Sequence, residues 1–194
     1  MDYERENAML RISDEKEMAK FRRERALISV FVHHAYRNEL IEAVLGMRKG
    51  FDPHVRTAWH MLIPYVAGDY AVDSALRVDE YGVDMARRII DQHELQHREL
   101  PALIFEFVPQ REYFCVKLGG KTVDEIEEII GTIGDMAVDE FKNGPKDVEE
   151  FRENLHSRIA IYLRQRNLLS ILSKAAPKLA GALGAAGDAK GLFD

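Results

Sequence analysis

Between residues 14 and 45 the chain has neither proline nor glycine, and apolar residues recur there at helical spacing through Leu27, Phe31, Ile41 and Leu45. An uninterrupted stretch of this length predicts a long first helix over residues 14 to 48 and so points the whole chain toward a helical architecture. The first half of that helix, from Glu15-Lys16-Glu17 through Arg22-Arg23-Glu24-Arg25, is charged on most sides and is expected to protrude or to pack on a partner. Its second half should face a core. Gly50 closes it, and Asp52-Pro53 opens the next helix in the order preferred by an N-cap and a first-turn proline.

The stripe Val55, Trp59, Leu62 and Val66 predicts that second helix, bent or ended at Pro64. A third is expected over residues 83 to 107, where Ile90, His93, His97, Leu100 and Ile104 share one face and Pro101 disturbs the last turns. Residues 112 to 118 have the aromatic and β-branched content of one short strand. Thr122 followed by Glu125 is a capping box for a fourth helix reaching about Phe141, and Asn143-Gly144-Pro145 separates it from a fifth. The fifth carries Val148, Phe151, Leu155, Ile159 and Tyr162 on one face, continues through Leu172 and ends by Pro177. The expected fold is therefore all-α: a five-helix, bundle-like domain over residues 1–176, with at most one strand near 112–118. Residues 177–194 form an alanine- and glycine-rich C-terminal tail.

A chain of 194 residues that is 46% hydrophobic can bury a core without covalent staples. Its single cysteine, Cys115, excludes an internal disulfide and any multi-cysteine zinc or iron–sulfur site, which makes the cytoplasm the default compartment. The charged start, Met1-Asp2-Tyr3-Glu4-Arg5-Glu6, lacks the apolar core of a secretory signal, and no run is long enough for a membrane span. A formal charge of −6 argues against a general nucleic-acid binder. Charge is nevertheless unevenly placed. Residues 122 to 153 hold eleven acids against Lys142, Lys146 and Arg152, whereas residues 154 to 194 hold six bases against two acids. Two such surfaces can meet within the fold or between copies, and the tail leucines Leu179, Leu183 and Leu192 favour a neighbouring chain, making a homo-oligomer the expected state.

The sharpest chemical feature is His93-Glu94-Leu95-Gln96-His97, which resembles the HExxH motif of zinc metalloproteases, in which histidines one helical turn apart hold the metal and the glutamate activates water. Charged Asp91, Arg98 and Glu99 flank it where those proteases have mostly uncharged positions. Within it, Glu94 and His97 form an ExxH pair, and Glu153 and His156 form another; two ExxH helices resemble the ligand set of ferritin-like di-iron bundles. The further carboxylates would come from Glu39 or Glu42 and from Glu128 or Asp135, although Glu42 precedes Glu94 by a longer interval than one helical hairpin. A third grouping, His34 with His93 and His97, resembles the HxxxH helix of hemerythrin-like bundles, without the HxxxE helix that completes them. The candidate metal ligands are accordingly His93, His97, Glu94, His34, Glu153 and His156, for iron, manganese or zinc; the competing reading is a set of hydrogen-bonded core-edge histidines.

Arg88 and His93 form an Arg-x4-His pair that resembles the motif of dimerising helical ribonucleases, with Ile89 where those enzymes carry a polar residue. Gly119-Gly120-Lys121-Thr122 resembles the end of a phosphate-binding loop, but Cys115 stands where the first glycine belongs, so a capped helix start is the better reading. The sequence thus leads to a helical assembly or adaptor protein acting through protein–protein contacts and self-association. A metal-binding bundle built on His93 and His97 is the alternative, a helical ribonuclease the third, and whether the chain is an enzyme stays open.

Overall fold

A computed structural model of the chain describes residues 7–34, 38–69, 74–105 and 114–171. It overturns the all-α expectation. The described residues form a six-stranded mixed sheet in the order β1-β3-β2-β4-β5-β6, made of β1 (Met9–Ile12), β2 (Leu27–Val32), β3 (Trp59–Pro64), β4 (Ala102–Phe105), β5 (Phe114–Lys117) and β6 (Leu169–Ile171). The first three strands are mutually parallel, and β4, β5 and β6 each run antiparallel to the neighbour before them. The chain is an α/β protein.

Its helices are α1 (Glu15–Met18), α2 (Asn38–Gly46), α3 (Arg48–Val55), α4 (Val83–Gln92), α5 (Val123–Asn143) and α6 (Val148–Gln165). They cover both faces of the sheet. On one face α2, α3, α5 and α6 join the large core cluster with Leu27, Phe31, Trp59, Met61 and Leu103; on the other, Met18, Phe21 and the α4 residues Met85, Ile89 and Ile90 pack on Ile28, Val30, Val32 and Leu62. Alternate side chains of β2 thus enter opposite layers, and both sets are buried.

That double burial explains why the strands were not visible as strands. A sheet covered on one side writes alternating polar and apolar residues, but one covered on both sides writes a nearly continuous apolar run, as in residues 26–32 and 59–64, interrupted by the buried Ser29 and His60. The predicted long first helix is consequently α1, a turn, a central strand and α2. Its charged first half does not protrude, because Met18 and Phe21 are buried under the sheet. The second predicted helix stops at Val55 and becomes β3, the third stops at Gln92 with β4 supplying its expected end, and the fifth stops at Gln165 before β6. The strand expected over 112–118 is present as β5, and the tail 177–194 lies outside the described residues. Among the described residues no helix is long and apolar enough to cross a membrane.

The two longest helices follow the sequence closely. Thr122 accepts the Glu125 N–H at 3.3 Å while the Glu125 carboxylate accepts from the Thr122 N–H at 2.9 Å, closing the capping box of α5. Asp147 caps α6 by accepting from the Glu149 and Glu150 N–H groups. The hairpin between them is tied by Arg158 to Asp139 and Glu140 and by Arg166 to Glu128, each at 2.8 Å. Part of the acidic and basic charge thus meets inside the fold.

Candidate functional site

In open α/β sheets ligands bind outside the carboxyl ends of parallel strands where successive connections leave toward opposite faces. Here that place is the end of β2 and β3. The chain leaves β2 toward α2 on one face and leaves β3 toward α4 on the other. Immediately after β2 come His33 and His34. The His33 backbone N–H donates to the buried Tyr81 hydroxyl at 2.9 Å, and burial pushes the Tyr81 phenol up, so it stays protonated. Burial also draws His34 down from the usual imidazole range, reinforced by His97 and Arg87 and opposed by Asp91.

His97 reaches His34 from the connection between α4 and β4. The imidazoles stack with ring centroids 5.1 Å apart and planes at 24°. The turn His97–Glu99 that carries His97 has its own capping box between Gln96 and Glu99, and it is clamped to the end of β5. Lys117 pairs with Glu99 at 2.9 Å, the Leu118 N–H donates to the Pro101 carbonyl at 2.8 Å, and a Cβ on Gly119 would overlap the Arg98 carbonyl oxygen. Only a glycine lets β5 approach this turn so closely.

The HExxH stretch is therefore not on a helix. His93 caps the end of α4, Glu94 sits in left-handed backbone with φ 53° and is exposed, and His97 begins a separate turn. His93 is only 4% exposed and desolvation draws its imidazole down to about 4, whereas His97 is exposed. One helical face for both, the basis of their pairing, is lost. His156 lies in the opposite layer, on α6, edge-on to Phe105 and Phe114 with centroids 6.5 and 5.6 Å away. Glu153 shares that helix, while Asp135, expected opposite it, faces His54 of α3 at 2.9 Å. Of the six residues singled out as metal ligands the structure brings His34 and His97 together, leaves Glu153 and His156 in the opposite layer on α6, and buries His93 while exposing Glu94; among the described residues no group of three or more His, Cys, Asp or Glu gathers as a metal cage. Arg88 is exposed and His93 buried, so the Arg-x4-His pair does not share one accessible surface.

A second region was not visible in the sequence. A cleft of about 1360 Å³ opens around α3, walled by α2, α5 and residues 75–78. Leu45, Val55, Ala58, Leu76, Val138 and Phe141 supply apolar lining. Asp52 anchors one wall: its carboxylate accepts the Ala8 and Met9 N–H groups at 3.0 and 2.8 Å, holding β1 to α3, and pairs with Arg48 at 2.9 Å. Arg48 in turn donates to the Ser74 carbonyl at 2.8 Å. The close approach of α5 to α3 depends on Gly134, where a Cβ would stand 3.1 Å from Val55.

Around this frame Lys49, Arg56 and Lys142 line the cleft with exposed side chains, against the single exposed acid Glu42. Lys49 and Arg56 make no ion pair among the described residues. Arg56 also adopts φ 45° and ψ −120°, a conformation nearly reserved for glycine, and its backbone N–H donates to the Asp52 carbonyl as the close of α3. No protein family, curated protein or solved structure matches this chain.

Proposed function

We propose that this chain is a protein-binding domain that takes an acidic segment of a partner into the cleft around α3. The observation that carries this reading is Arg56, a residue held in costly backbone geometry so that a cation stands at the rim of a cleft with an apolar lining. Strain of this kind costs about 1–3 kcal/mol and persists where the surrounding structure enforces it, most often at binding sites. Lys49 and Lys142 extend the same positive field, and clustered cations are a recurring way to recognise acidic motifs. A volume near 1360 Å³ exceeds what a small ligand needs and accommodates several residues of extended chain.

This reading carries the adaptor role expected from the sequence onto an α/β scaffold. Self-association retains less support, since Arg158 and Arg166 already face acids within the α5–α6 hairpin. Fluorescence anisotropy with a labelled peptide of alternating glutamate and leucine, and its lysine–leucine counterpart, tests the reading. The acidic peptide should bind, weaken as salt rises, and lose about tenfold in affinity when Lys49 and Arg56 are both changed to glutamate. Equal binding of the two peptides, or indifference to the charge reversal, would contradict it.

A further inference from the structure

We infer that His34 and His97 are the two protein ligands of a binding site for one divalent cation of the zinc, nickel or copper class at the carboxyl end of β2. This site is separate from the acidic-segment cleft, since neither histidine lines it. The argument begins with the separation of the rings. Two imidazoles on one tetrahedral ion, with metal–nitrogen distances of about 2.0–2.1 Å and roughly 1.1 Å more to each ring centre, have centroids about 5 Å apart. The observed separation is 5.1 Å. A plain aromatic pair also falls in this range, and the planes lie only 24° apart, so binding requires the rings to turn about their side-chain bonds until one nitrogen of each faces a common ion; what favours a ligand pair is the supporting backbone.

His34 is half-buried and His97 exposed, and each is delivered by a segment tied to the sheet. His34 follows β2, whose last residue Val32 is paired with Ala102 of β4; His97 sits in a turn capped by Glu99, clamped by Lys117 and pressed against Gly119. A site assembled in advance loses little conformational entropy when it binds. Imidazole is a good ligand for zinc, copper and nickel, and Asp91, whose charge reaches His34, favours a cation there while Arg87 opposes one. The remaining coordination positions fall to water, leaving the site open toward solvent.

The test is a calorimetric titration of zinc chloride, then nickel chloride, into the full chain carrying no affinity tag, with NMR of the histidine ring signals as a second readout. One ion per chain is expected, held more weakly than in a four-ligand structural site, with a dissociation constant on the order of 10 μM. His34→Gln and His97→Gln should each weaken binding about tenfold or more while keeping the far-ultraviolet circular dichroism of the parent, because His34 is only half-buried and His97 is exposed. Zinc should move the ring signals of both histidines together. Absence of heat and of ring shifts up to about 1 mM metal, or an affinity that neither substitution changes, would assign the pair to ring stacking alone and overturn the inference.

Discussion

The two faces of this sheet are covered unequally. One lies under α5 and α6, helices of 21 and 18 residues, with α2 and α3 beside them; the other lies under α4, of 10 residues, and the short turns around Met18 and Phe21. On the α5–α6 face two arginines are held by backbone carbonyls, although that face also buries His156. Arg152 donates to the Phe21, Glu24 and Ala26 carbonyls, and Arg25 donates to the carbonyls at the end of α5, those of Glu140, Phe141, Gly144 and Pro145. The α4 face instead buries His93 in an environment that disfavours its charge. Stability on this account is concentrated under α5 and α6, and the acid sensitivity that His93 brings lies under α4.

Large-to-small substitutions should separate the faces first. Phe151, fully buried between α6 and the sheet, should cost about 4 kcal/mol when changed to alanine, whereas Leu95→Ala at the edge of the α4 layer should cost about 2 kcal/mol. Urea denaturation measures both, and equal losses would break the comparison.

A pH experiment addresses the α4 face directly. The His93 imidazole lies near 4 in the fold against 6.5 when free, so the unfolded chain takes up its proton first as pH falls. The stability this neutral histidine permits is intact above about 6.5 and is lost as pH drops toward about 4, amounting to about 2 kcal/mol between pH 7 and 4.5. His93→Leu should lose about that much less stability over the same interval. Parallel pH profiles for the two proteins would place the acid sensitivity elsewhere.

Helix ends give a smaller contrast. Asp147 and Thr122 cap α6 and α5 with side-chain hydrogen bonds, and replacing either by alanine should cost about 1 kcal/mol in thermal or urea unfolding. At the start of α4 no side chain caps the helix, and Gly82 there stands against the Tyr65 backbone, so its role is close packing. A Thr122→Ala or Asp147→Ala protein as stable as the parent would show that the caps add nothing beyond packing.

The same asymmetry explains what could be read from the sequence. The helices α5 and α6 are long and amphipathic, and Thr122 and Asn143-Gly144-Pro145 mark the start of the first and the break between the two in the chain itself. The central strands carry no such marks. Leu27 and Phe31 stand four apart, which suits one helical face but equally one face of a strand, since four is an even spacing; both do enter the same layer. Only the unbroken burial of β2 and β3 distinguishes the two, and that depends on helices packing from both sides. Helical spacing groups His34 with His97 in the sequence, but they meet for another reason, at the end of a strand and in a turn that Gly119 admits. The cleft had no local signature, because Lys49, Arg56 and Lys142 come together through the packing of α3 on α5, and nothing in the residue Arg56 announces a backbone angle suited to glycine.

That angle gives the most direct test of the acidic-segment reading. Arg56→Gly releases the backbone strain and removes the cation, so unfolding stability and affinity for the glutamate–leucine peptide should move in opposite directions. Stability should rise by about 1 kcal/mol, the relief of φ strain less the greater freedom of an unfolded glycine, while binding weakens about fivefold. A variant that gains stability and binds the peptide as well as the parent would contradict the proposal that Arg56 is held there to meet an acidic partner.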